Sequence, residues 1–396
     1  MRVDVLVAGG GPAGLIAARD VAERGYDVLL VEEHPEIGEP VQCSGLFSLR
    51  GLRQLGIRLP GRVIAGTIRG GRFFSPGGEV FEAYSKQDRA YVVERRLFDK
   101  ELAKQAARKG ARIALKTRVR EVKIGGRAKV VLESGGRREV AEAEVVIAAD
   151  GVRSGIARQL GLSTPRTVVA AAQVEVESAE VEEDIAELYF GRRWAPNFYA
   201  WLLPKGDVCE VGVGVRSSEH PPRIYLERFM REHPVARRKL TGGSQLEYNA
   251  GAFPVALPRQ TFGERVLLAG DAGGFVKAST GGGVITGGIS AMLAARAACL
   301  ALERGDFSAH FFRENYERAW KAELGRELEV HALIRKIFDS LSDSEIDALF
   351  KVAHEEDIAS LMVQYPDTDR PYEFFMQLLQ KERFVRMIER FLTLGR

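Results

Sequence analysis

The pattern of apolar and polar positions at the start of the chain predicts a strand, a tight turn, a helix and a second strand. Residues 4–8 (DVLVA) form an apolar run, and residues 15–25 (LIAARDVAERG) carry apolar side chains at helical spacing. A second apolar run, residues 27–31 (DVLLV), ends at two glutamates. The turn itself is glycine-rich, residues 9–14 (GGGPAG). This order of elements is that of a βαβ nucleotide-binding unit.

Three glycines of the turn each have a structural role. Gly9 permits the tight turn, Gly11 lets the backbone approach a pyrophosphate, and Gly14 allows close packing of helix on strand. The unpaired N–H groups at the helix start favour phosphate, and Glu32 accepts hydrogen bonds from a ribose diol, which favours FAD or NAD over NADP. The predicted cofactor residues of this unit are Gly9, Gly11, Pro12, Ala13, Gly14, Glu32 and Glu33.

Two later strand ends favour FAD over NAD. One apolar run ends in Asp150 and Gly151, and another ends in Gly270 and Asp271. The ribityl chain and isoalloxazine ring of FAD extend beyond the first βαβ unit and need contacts of their own. Asp271 is suited to a ribityl hydroxyl.

A glycine run follows the last of these strands. Gly281, Gly282 and Gly283 precede a helix of small residues. The N–H groups at the start of that helix would stabilise negative charge on the N1 and C2 carbonyl edge of reduced flavin. We therefore include the three glycines in the predicted FAD site.

Alternating apolar and polar residues elsewhere predict a separate sheet. Residues 168–177 (VVAAAQVEVE) and 210–218 (EVGVGVRSS) alternate at strand spacing, and from Phe307 onward the pattern becomes helical. Ser342 and Glu345 form a capping-box signature. The predicted fold class is α/β (α+β overall), with a discontinuous Rossmann-like FAD-binding domain, an antiparallel β-sheet substrate domain and a helical C-terminal region. The predicted boundaries are 1–61, 92–166 and 254–305 for the FAD-binding domain, 62–91 and 167–253 for the sheet domain, and 306–396 for the helices.

Composition and charge exclude several classes of protein. The formal net charge is +3 and basic residues are scattered among acidic ones, so no nucleic-acid partner is predicted. Cys43, Cys209 and Cys299 lie far apart, which argues against a metal site and a disulfide framework. The chain lacks a long apolar run and a signal-peptide pattern, so we expect no membrane span and a cytoplasmic protein.

The last residues, 371–396, predict an amphipathic helical segment. Its apolar side chains near one face are Phe375, Leu378, Leu379, Ile388, Phe391 and Leu392, with Lys381, Arg383, Arg386 and Arg390 between them. Such a face packs on the protein's own domain, which we favour, or lies on an anionic membrane surface. Peripheral contact with the inner face of the cell membrane is therefore a second expectation.

The sequence resembles the large flavoprotein superfamily that includes para-hydroxybenzoate hydroxylase, through the motifs GGGPAG, VVERRLFDKELAKQA, AADG and LLAGDAGG. The resemblance implies that an arginine of the R-x-x-F-D region contacts the cofactor. By position this is Arg95, with Arg96 as the alternative.

Residues 195–215 (APNFYAWLLPKGDVCEVGVGV) show a resemblance to one family within this superfamily. From the residues alone this stretch is either an ordinary turn and core strand or the lining of a ligand site. It resembles the P-x-x-Y-x-W-x-F-P-K-G motif of the geranylgeranyl reductase family, carried here by Pro196, Tyr199, Trp201, Pro204, Lys205 and Gly206. Leu203 replaces the usual phenylalanine, and the loop at Lys277 lacks the proline usual before its glycines.

The resemblance covers nearly the whole chain and is closest to the archaeal digeranylgeranylglycerophospholipid reductases. It implies an FAD-dependent oxidoreductase acting on CH–CH groups, which saturates isolated double bonds of geranylgeranyl chains in isoprenoid lipid precursors. It also implies that Tyr199, Trp201 and Pro204 line an apolar pocket for the prenyl chain. Burial of that chain is favourable by about 0.8 kcal/mol per CH₂.

Reduction of an isolated alkene needs hydride from flavin N5 and a proton from a nearby acid. Cys43 is one candidate donor, since the family carries a cysteine near the flavin at this point, usually followed directly by glycine. Here Ser44 separates Cys43 from Gly45. Tyr199, as donor or positioning group, and a bound water are alternatives, and a lone cysteine is most often a small buried apolar residue.

Two other functions are compatible with the resemblance. One is an FAD monooxygenase of an apolar or aromatic substrate, and the other is a flavin-containing protein that binds an isoprenoid lipid without turnover. The aromatic motif and Cys43 favour the reductase. The expected electron donor is ferredoxin, a reduced deazaflavin or NAD(P)H.

Overall fold

The computed structural model describes residues 1–162, 167–177 and 180–394, with side chains to residue 389 in the last helix. The chain divides into two compact units. The first unit comprises Met1–Val41, Arg95–Thr167 and Phe253–Glu329, and the second comprises Gln42–Glu94, Val168–Ala252 and Val330–Arg396.

The elements are numbered along the chain. The strands are β1 (Arg2–Ala8), β2 (Val28–Val31), β3 (Leu46–Ser48), β4 (Ile64–Ile68), β5 (Gly70–Phe74), β6 (Val80–Tyr84), β7 (Ala90–Val93), β8 (Arg112–Ala114), β9 (Thr117–Lys123), β10 (Ala128–Ser134), β11 (Arg137–Ala148), β12 (Val168–Glu177), β13 (Ile185–Tyr189), β14 (Ala200–Lys205), β15 (Val208–Val215), β16 (Gln245–Pro254), β17 (Phe262–Gly263) and β18 (Val266–Leu268). The helices are α1 (Pro12–Glu23), α2 (Leu49–Gln54), α3 (Arg95–Arg108), α4 (Gly155–Gln159), α5 (Pro222–Glu232), α6 (Pro234–Lys239), α7 (Val284–Arg304), α8 (Ala309–Phe312), α9 (Arg318–Trp320), α10 (Arg326–Ser340), α11 (Asp343–Glu355), α12 (Ile358–Gln364), α13 (Tyr372–Leu378) and α14 (Glu382–Leu394). Short 3₁₀ turns span Gly61–Val63 and Gly270–Gly273, and π-turns span Arg313–Glu317 and Lys321–Gly325.

The first unit is built on an eight-stranded sheet. Its main path is β17-β18-β11-β1-β2-β8, with β10 beside β11 and β9 beside β10. The strands from β18 to β8 are parallel, and β1 and β2 are buried on both faces because helices cover them. This explains why both strands are continuous apolar runs in the sequence. Helix α1 packs against α3 and α7.

The register of the parallel strands aligns their carboxyl ends. Ala8 of β1 is level with Val31 of β2 and with Ala148 of β11, and Ala148 is level with Leu268 of β18. The segments that follow these four strands therefore begin at the same edge of the sheet, which is where open α/β sheets bind ligands.

The second unit contains a seven-stranded sheet, in the order β16-β12-β15-β14-β13-β5-β6. An antiparallel sheet is predicted, but the sheet is mixed, because β13 and β5 run in parallel. One face of its central strands is apolar and packs against α5, whose Phe229 is fully buried. The opposite face carries Trp201, Leu203 and several buried polar side chains.

A three-stranded sheet, β3-β7-β4, and the C-terminal helices complete the second unit. The apolar side chains of α10 to α13 form a cluster with Phe81 of β6. Helix α11 begins with the predicted capping box, in which Ser342 and Glu345 bond each other's backbone N–H groups. The capping-box prediction is confirmed.

The division of the chain differs from the predicted domains at two places. Residues 42–61, assigned to the FAD-binding domain, belong to the second unit, because β3 pairs with β7. The C-terminal region, predicted as one piece from 306 to 396, is shared between the units at residue 329. Its first part is held in the first unit, where the Tyr316 hydroxyl donates to Leu268 O and Trp320 Nε1 donates to Thr261 Oγ1.

Among the described residues one helix, α7, is long and apolar enough to cross a membrane. Of its most apolar window, 72% is buried, and the helix packs on α1. Such burial is typical of a core helix.

The described part of the predicted amphipathic segment packs inward. Phe375 and Leu378 are buried, and Ile388 packs against the same cluster, whereas Leu379 is exposed. The favoured alternative, packing on its own domain, therefore accounts for this part of the face. The remaining residues of the predicted face, Arg390, Phe391 and Leu392, lie outside the described side chains.

Candidate functional site

The candidate cofactor site lies in the first unit, at the aligned ends of β2, β1, β11 and β18. The residues that follow these strands are Glu32, Gly9, Asp150 and Gly270. All four were predicted from sequence as cofactor residues. The strand register brings them to one edge of one sheet.

The glycine turn leaves no room for a side chain at two positions. A Cβ on Gly9 would lie 2.2 Å from Ala149 O, and Gly9 has a φ of +105°. A Cβ on Gly14 would lie 1.9 Å from Gly9 O. At Gly11 a Cβ would meet nothing within 4 Å. The protein itself requires Gly9 and Gly14, whereas the glycine at position 11 leaves space for a ligand.

The start of α1 is suited to an anion. Gly11 caps the helix without a side-chain hydrogen bond, and Pro12 is its first residue. The Cβ of Ala13 is 2.8 Å from the position that a Cβ on Gly270 would take. The first and third predicted cofactor segments are therefore in contact at this point.

The two adjacent glutamates have different surroundings. Glu32 is buried and accepts hydrogen bonds from the N–H groups of Gly10, at 2.6 Å, and His34, at 2.8 Å. Glu33 is at the surface and pairs with Arg118 at 3.2 Å. The structure brings Glu32 to the glycine turn and leaves Glu33 in a surface ion pair.

The third segment places Asp271 beside Arg95. Burial raises the pKa of Asp271 to about 6, and the Arg95 guanidinium opposes that rise. Arg95 also donates to both carboxylate oxygens of Asp99, at 3.2 and 3.0 Å, and Asp99 is buried in α3. Arg96, the alternative, pairs instead with Glu39. Arg95 is therefore the arginine of this group.

The end of β11 contributes a second acid. Asp150 Oδ2 accepts from the N–H of Ile156 at 3.2 Å. Its Oδ1 is buried and has no hydrogen-bond partner among the described residues. Burial raises the pKa of this carboxyl. Gly151 follows with a φ of +78° and open space around it.

The glycine run lies against the same group. A Cβ on Gly283 would lie 3.0 Å from Asp271 Oδ1, and a Cβ on Gly281, where φ is +74°, would lie 2.5 Å from the ring of Phe253. Gly282 stands between them, and α7 then begins at Val284 without a side-chain cap. The helix start and Asp271 are therefore adjacent, as the sequence predicted.

These residues fit an FAD molecule. The open space at Gly11 and the uncapped start of α1 suit a pyrophosphate. The unpaired Asp150 Oδ1 and the half-buried Asp271 offer acceptors for hydroxyl groups. The uncapped start of α7 offers N–H donors for a flavin ring.

The predicted substrate residues lie in the second unit. The Tyr199 ring stacks on Phe198, with centroids 4.3 Å apart, and meets Trp201 edge-on at 6.1 Å. Pro204 is buried on the same strand, but it is level with Cys209 and therefore lies on the opposite face from Trp201, the face that packs on α5. Burial raises the pKa of Tyr199, and the Arg335 guanidinium opposes that rise. This arrangement forms an aromatic surface, as an apolar ligand site requires.

Two buried ionisable residues near these aromatic rings escaped the sequence analysis. Arg335 of α10 is 6% exposed, lies over Phe198 at 5.4 Å and pairs with Asp339. Glu210 of β15 is 2% exposed. The strand pattern carries a signal for Glu210, because it stands in an otherwise apolar buried run, VCEVGVGV. No sequence signal singles out Arg335.

Cys43 belongs to the second unit and is partly exposed. Its sulfur accepts from the N–H of Gly45 at 3.5 Å. Gly45 has a φ of +78°, and a Cβ there would lie 2.4 Å from Val93 O. The backbone therefore requires glycine at position 45, just before β3 pairs with β7. Ser44 separates this glycine from Cys43.

Comparison with known proteins gives consistent results. The model of a family of FAD-binding domains matches residues 2–305. The chain is 36% identical to digeranylgeranylglycerophospholipid reductase of Methanocaldococcus jannaschii, over 89% of this chain and 90% of the relative. It is 38% identical to digeranylgeranylglycerophospholipid reductase 2 of Methanothermobacter thermautotrophicus, over 91% and 94%. The structure is similar to that of a geranylgeranyl bacteriochlorophyll reductase-like protein from Thermoplasma acidophilum, with a TM-score of 0.84, 28% identity and coverage of 96% and 99%.

The different surroundings of Gly11 and Gly14 predict different effects of the same substitution. Gly11→Ala should leave the apoprotein as stable as wild type and weaken FAD binding at least about tenfold, because only the ligand meets the new methyl group. Gly14→Ala should lower the free energy of unfolding by about 2 kcal/mol or more, since backbone atoms must move. Flavin titration and thermal melting of the apoproteins measure the two effects. Equal loss of stability in both variants would contradict this assignment.

Proposed function

The chain belongs to the geranylgeranyl reductase family of FAD-binding flavoproteins, and on that premise we propose that it is an FAD-dependent reductase of isoprenoid lipids. Its substrates are geranylgeranyl chains of archaeal-type membrane-lipid precursors, whose isolated C=C bonds it saturates. The observation that carries the proposal is identity of 36% and 38% to digeranylgeranylglycerophospholipid reductases over about nine-tenths of the chain.

The first unit supplies the cofactor site. FAD, when bound and reduced, supplies hydride from N5. The turn at Gly11 binds the pyrophosphate, Asp150 and Asp271 accept from hydroxyl groups, and Glu32 fixes the turn through the Gly10 N–H. The uncapped start of α7 stabilises negative charge on the flavin ring.

The second unit supplies the surface for the prenyl chain. Tyr199 and Trp201 present aromatic rings, and burial of each CH₂ against such a surface is favourable by about 0.8 kcal/mol. An alkene without a carbonyl offers no group for polar recognition. Shape and apolar contact therefore select the substrate.

The proton for the adjacent carbon comes from a side chain or from a bound water. We favour Cys43, whose partly exposed sulfur lies 3.5 Å from the Gly45 N–H in the glycine-containing segment before β3. Tyr199 keeps its proton more strongly, because burial raises its pKa, and we assign it to positioning the chain.

We also propose peripheral contact with the membrane, which holds the substrate's long chains. The exposed Leu379 and Met376 of the C-terminal region support it, as do the exposed side chains of Arg383 and Arg386, which also pair with Glu355 and Glu382. The physiological reductant is ferredoxin, a reduced deazaflavin or NAD(P)H. Parallel incubations with each reductant identify it.

Anaerobic incubation of the dithionite-reduced protein with a geranylgeranyl glycerophospholipid tests the proposed reaction. Mass spectrometry should show successive gains of two hydrogen atoms in the lipid. Unchanged lipid together with oxygen-dependent NAD(P)H consumption would select a monooxygenase instead. Bound FAD and lipid with no chemistry under either condition would select a binding protein.

Cys43→Ala should retain FAD and lower the rate of alkene reduction about 100-fold, the usual contribution of a positioned proton donor. Tyr199→Phe keeps the ring and removes only the hydroxyl, so it should lower the rate less than about tenfold. Single-turnover reoxidation of the reduced flavin by prenyl lipid measures both. A larger loss in Tyr199→Phe than in Cys43→Ala would assign the proton to the tyrosine.

Membrane association is measured by sedimentation with vesicles of anionic isoprenoid phospholipid. We expect the protein to sediment with these vesicles at low salt and to be released as salt rises, because salt screens attraction between basic residues and the surface. An Arg383→Glu and Arg386→Glu double variant should sediment less. Absence of binding at low salt would remove this part of the proposal.

A further inference from the structure

Three buried polar atoms meet on one face of the second unit's large sheet. Gln173 of β12, Gly212 of β15 and Trp201 of β14 lie in one row across three paired strands. Glu210 lies two residues from Gly212, on the same face. Gln173 Nε2, Trp201 Nε1 and Glu210 Oε1 are all buried without a well-formed hydrogen bond. Buried polar atoms in this condition are uncommon and call for a physical explanation.

Gly212 allows the Trp201 indole to lie flat on the sheet. A Cβ at position 212 would lie 2.1 Å from Trp201 Cζ2 and 2.8 Å from its Nε1. The indole therefore occupies the space above Gly212. The Glu210 carboxyl, two residues along the same face, lies close enough to interact with the indole N–H.

Lys205, the cation that interacts with Glu210, already forms ion pairs with two other carboxylates. Lys205 pairs with Glu94 at 2.9 Å and also with Glu175. Glu175 stands directly opposite Glu210 on the neighbouring strand. Glu210 is thus a third carboxyl group beside one ammonium group, and it is only 2% exposed.

These surroundings keep Glu210 protonated at neutral pH. Burial raises the pKa of Glu210 to about 8, and the charges of Glu175 and Glu94 act in the same direction. Lys205 and the Trp201 N–H oppose the rise. A neutral carboxyl can contact the indole without the desolvation penalty that a buried carboxylate would bring.

We propose that Glu210 is a positioning residue for the prenyl pocket, which holds the Trp201 indole flat over Gly212 and so sets the wall against which the prenyl chain packs. The inference rests on the proposed function for the substrate that packs on Trp201. The contact itself rests on the strand register, which places Glu210 two residues from Gly212 on the face that carries the indole, and on the interaction of the Trp201 N–H with the Glu210 carboxyl. Because that N–H favours the ionised carboxyl, ionisation of Glu210 changes the surroundings of the indole.

A fluorescence titration of the FAD-loaded protein tests the link between the two residues. The Trp201 signal is the difference between wild type and Trp201→Phe, and it should change with a midpoint near pH 8. Glu210→Gln should abolish that transition. The matched variant Glu175→Gln removes the carboxyl opposite and should keep the transition at a lower pH. A transition that persists unchanged in Glu210→Gln would overturn the proposal.

Steady-state kinetics with a geranylgeranyl lipid test the consequence. Glu210→Leu should raise KM about tenfold with little change in kcat, because the wall is displaced while the reacting groups remain. Glu210→Gln, which keeps the shape and polarity, should keep KM close to the wild-type value. An unchanged KM in Glu210→Leu would contradict the positioning role.

The proposed function and the proposed role of Glu210 are tested independently of each other. Circular dichroism and FAD content of each variant verify that it is folded, and Glu210→Gln keeps the test valid if Glu210→Leu does not fold. A wild-type protein that leaves prenyl lipids unreduced contradicts the proposed function, and the fluorescence titration then still decides whether Glu210 controls Trp201.

Discussion

The parallel strands β2, β1, β11 and β18 end level with one another at Val31, Ala8, Ala148 and Leu268, and the chemistry of the first unit depends on this register. The level ends place three segments, far apart in the chain, at one sheet edge. A slip of one residue in any strand would move the segment that follows it by about 3.3 Å along the sheet. The packing of these strands between helices therefore positions the cofactor site as well as the core.

The glycines show how this constraint acts at atomic scale. Gly9 and Gly14 are required by protein atoms, whereas Gly11 stands in open space at the start of α1. One short motif thus combines residues that build the turn with a residue that admits the ligand. The close approach of Ala13 to Gly270 extends the same packing to the third segment.

The two faces of the seven-stranded sheet in the second unit have different roles. One face is apolar and packs on α5. The other holds an ion network at Lys205 and a neutral acid, Glu210, beside an aromatic ring. Buried ionisable groups contribute little net stability, so their presence here points to a role in shaping a ligand surface.

The sequence by itself indicated the cofactor and the family and predicted the residues of the cofactor site, because all three depend on short local patterns. The glycine turn, the acids at strand ends and the aromatic motif of Tyr199 and Trp201 are each contained within a few residues. Strand and helix periodicity likewise predicted an α/β fold with a second sheet and C-terminal helices. The parallel β5–β13 pair and the position of residues 42–61 were missed, because strand pairing joins distant segments.

Only the tertiary structure decided that Glu210 lies in a buried site and that Arg95, and not Arg96, lies beside Asp271. Burial raises the pKa of Glu210, and Glu94 and Glu175, which pair with Lys205 and come from two other parts of the chain, add to that rise. Arg95 was selected because it faces Asp271, while Arg96 pairs with Glu39. A charge is set by every group within a few ångströms, and such neighbours are not adjacent in sequence.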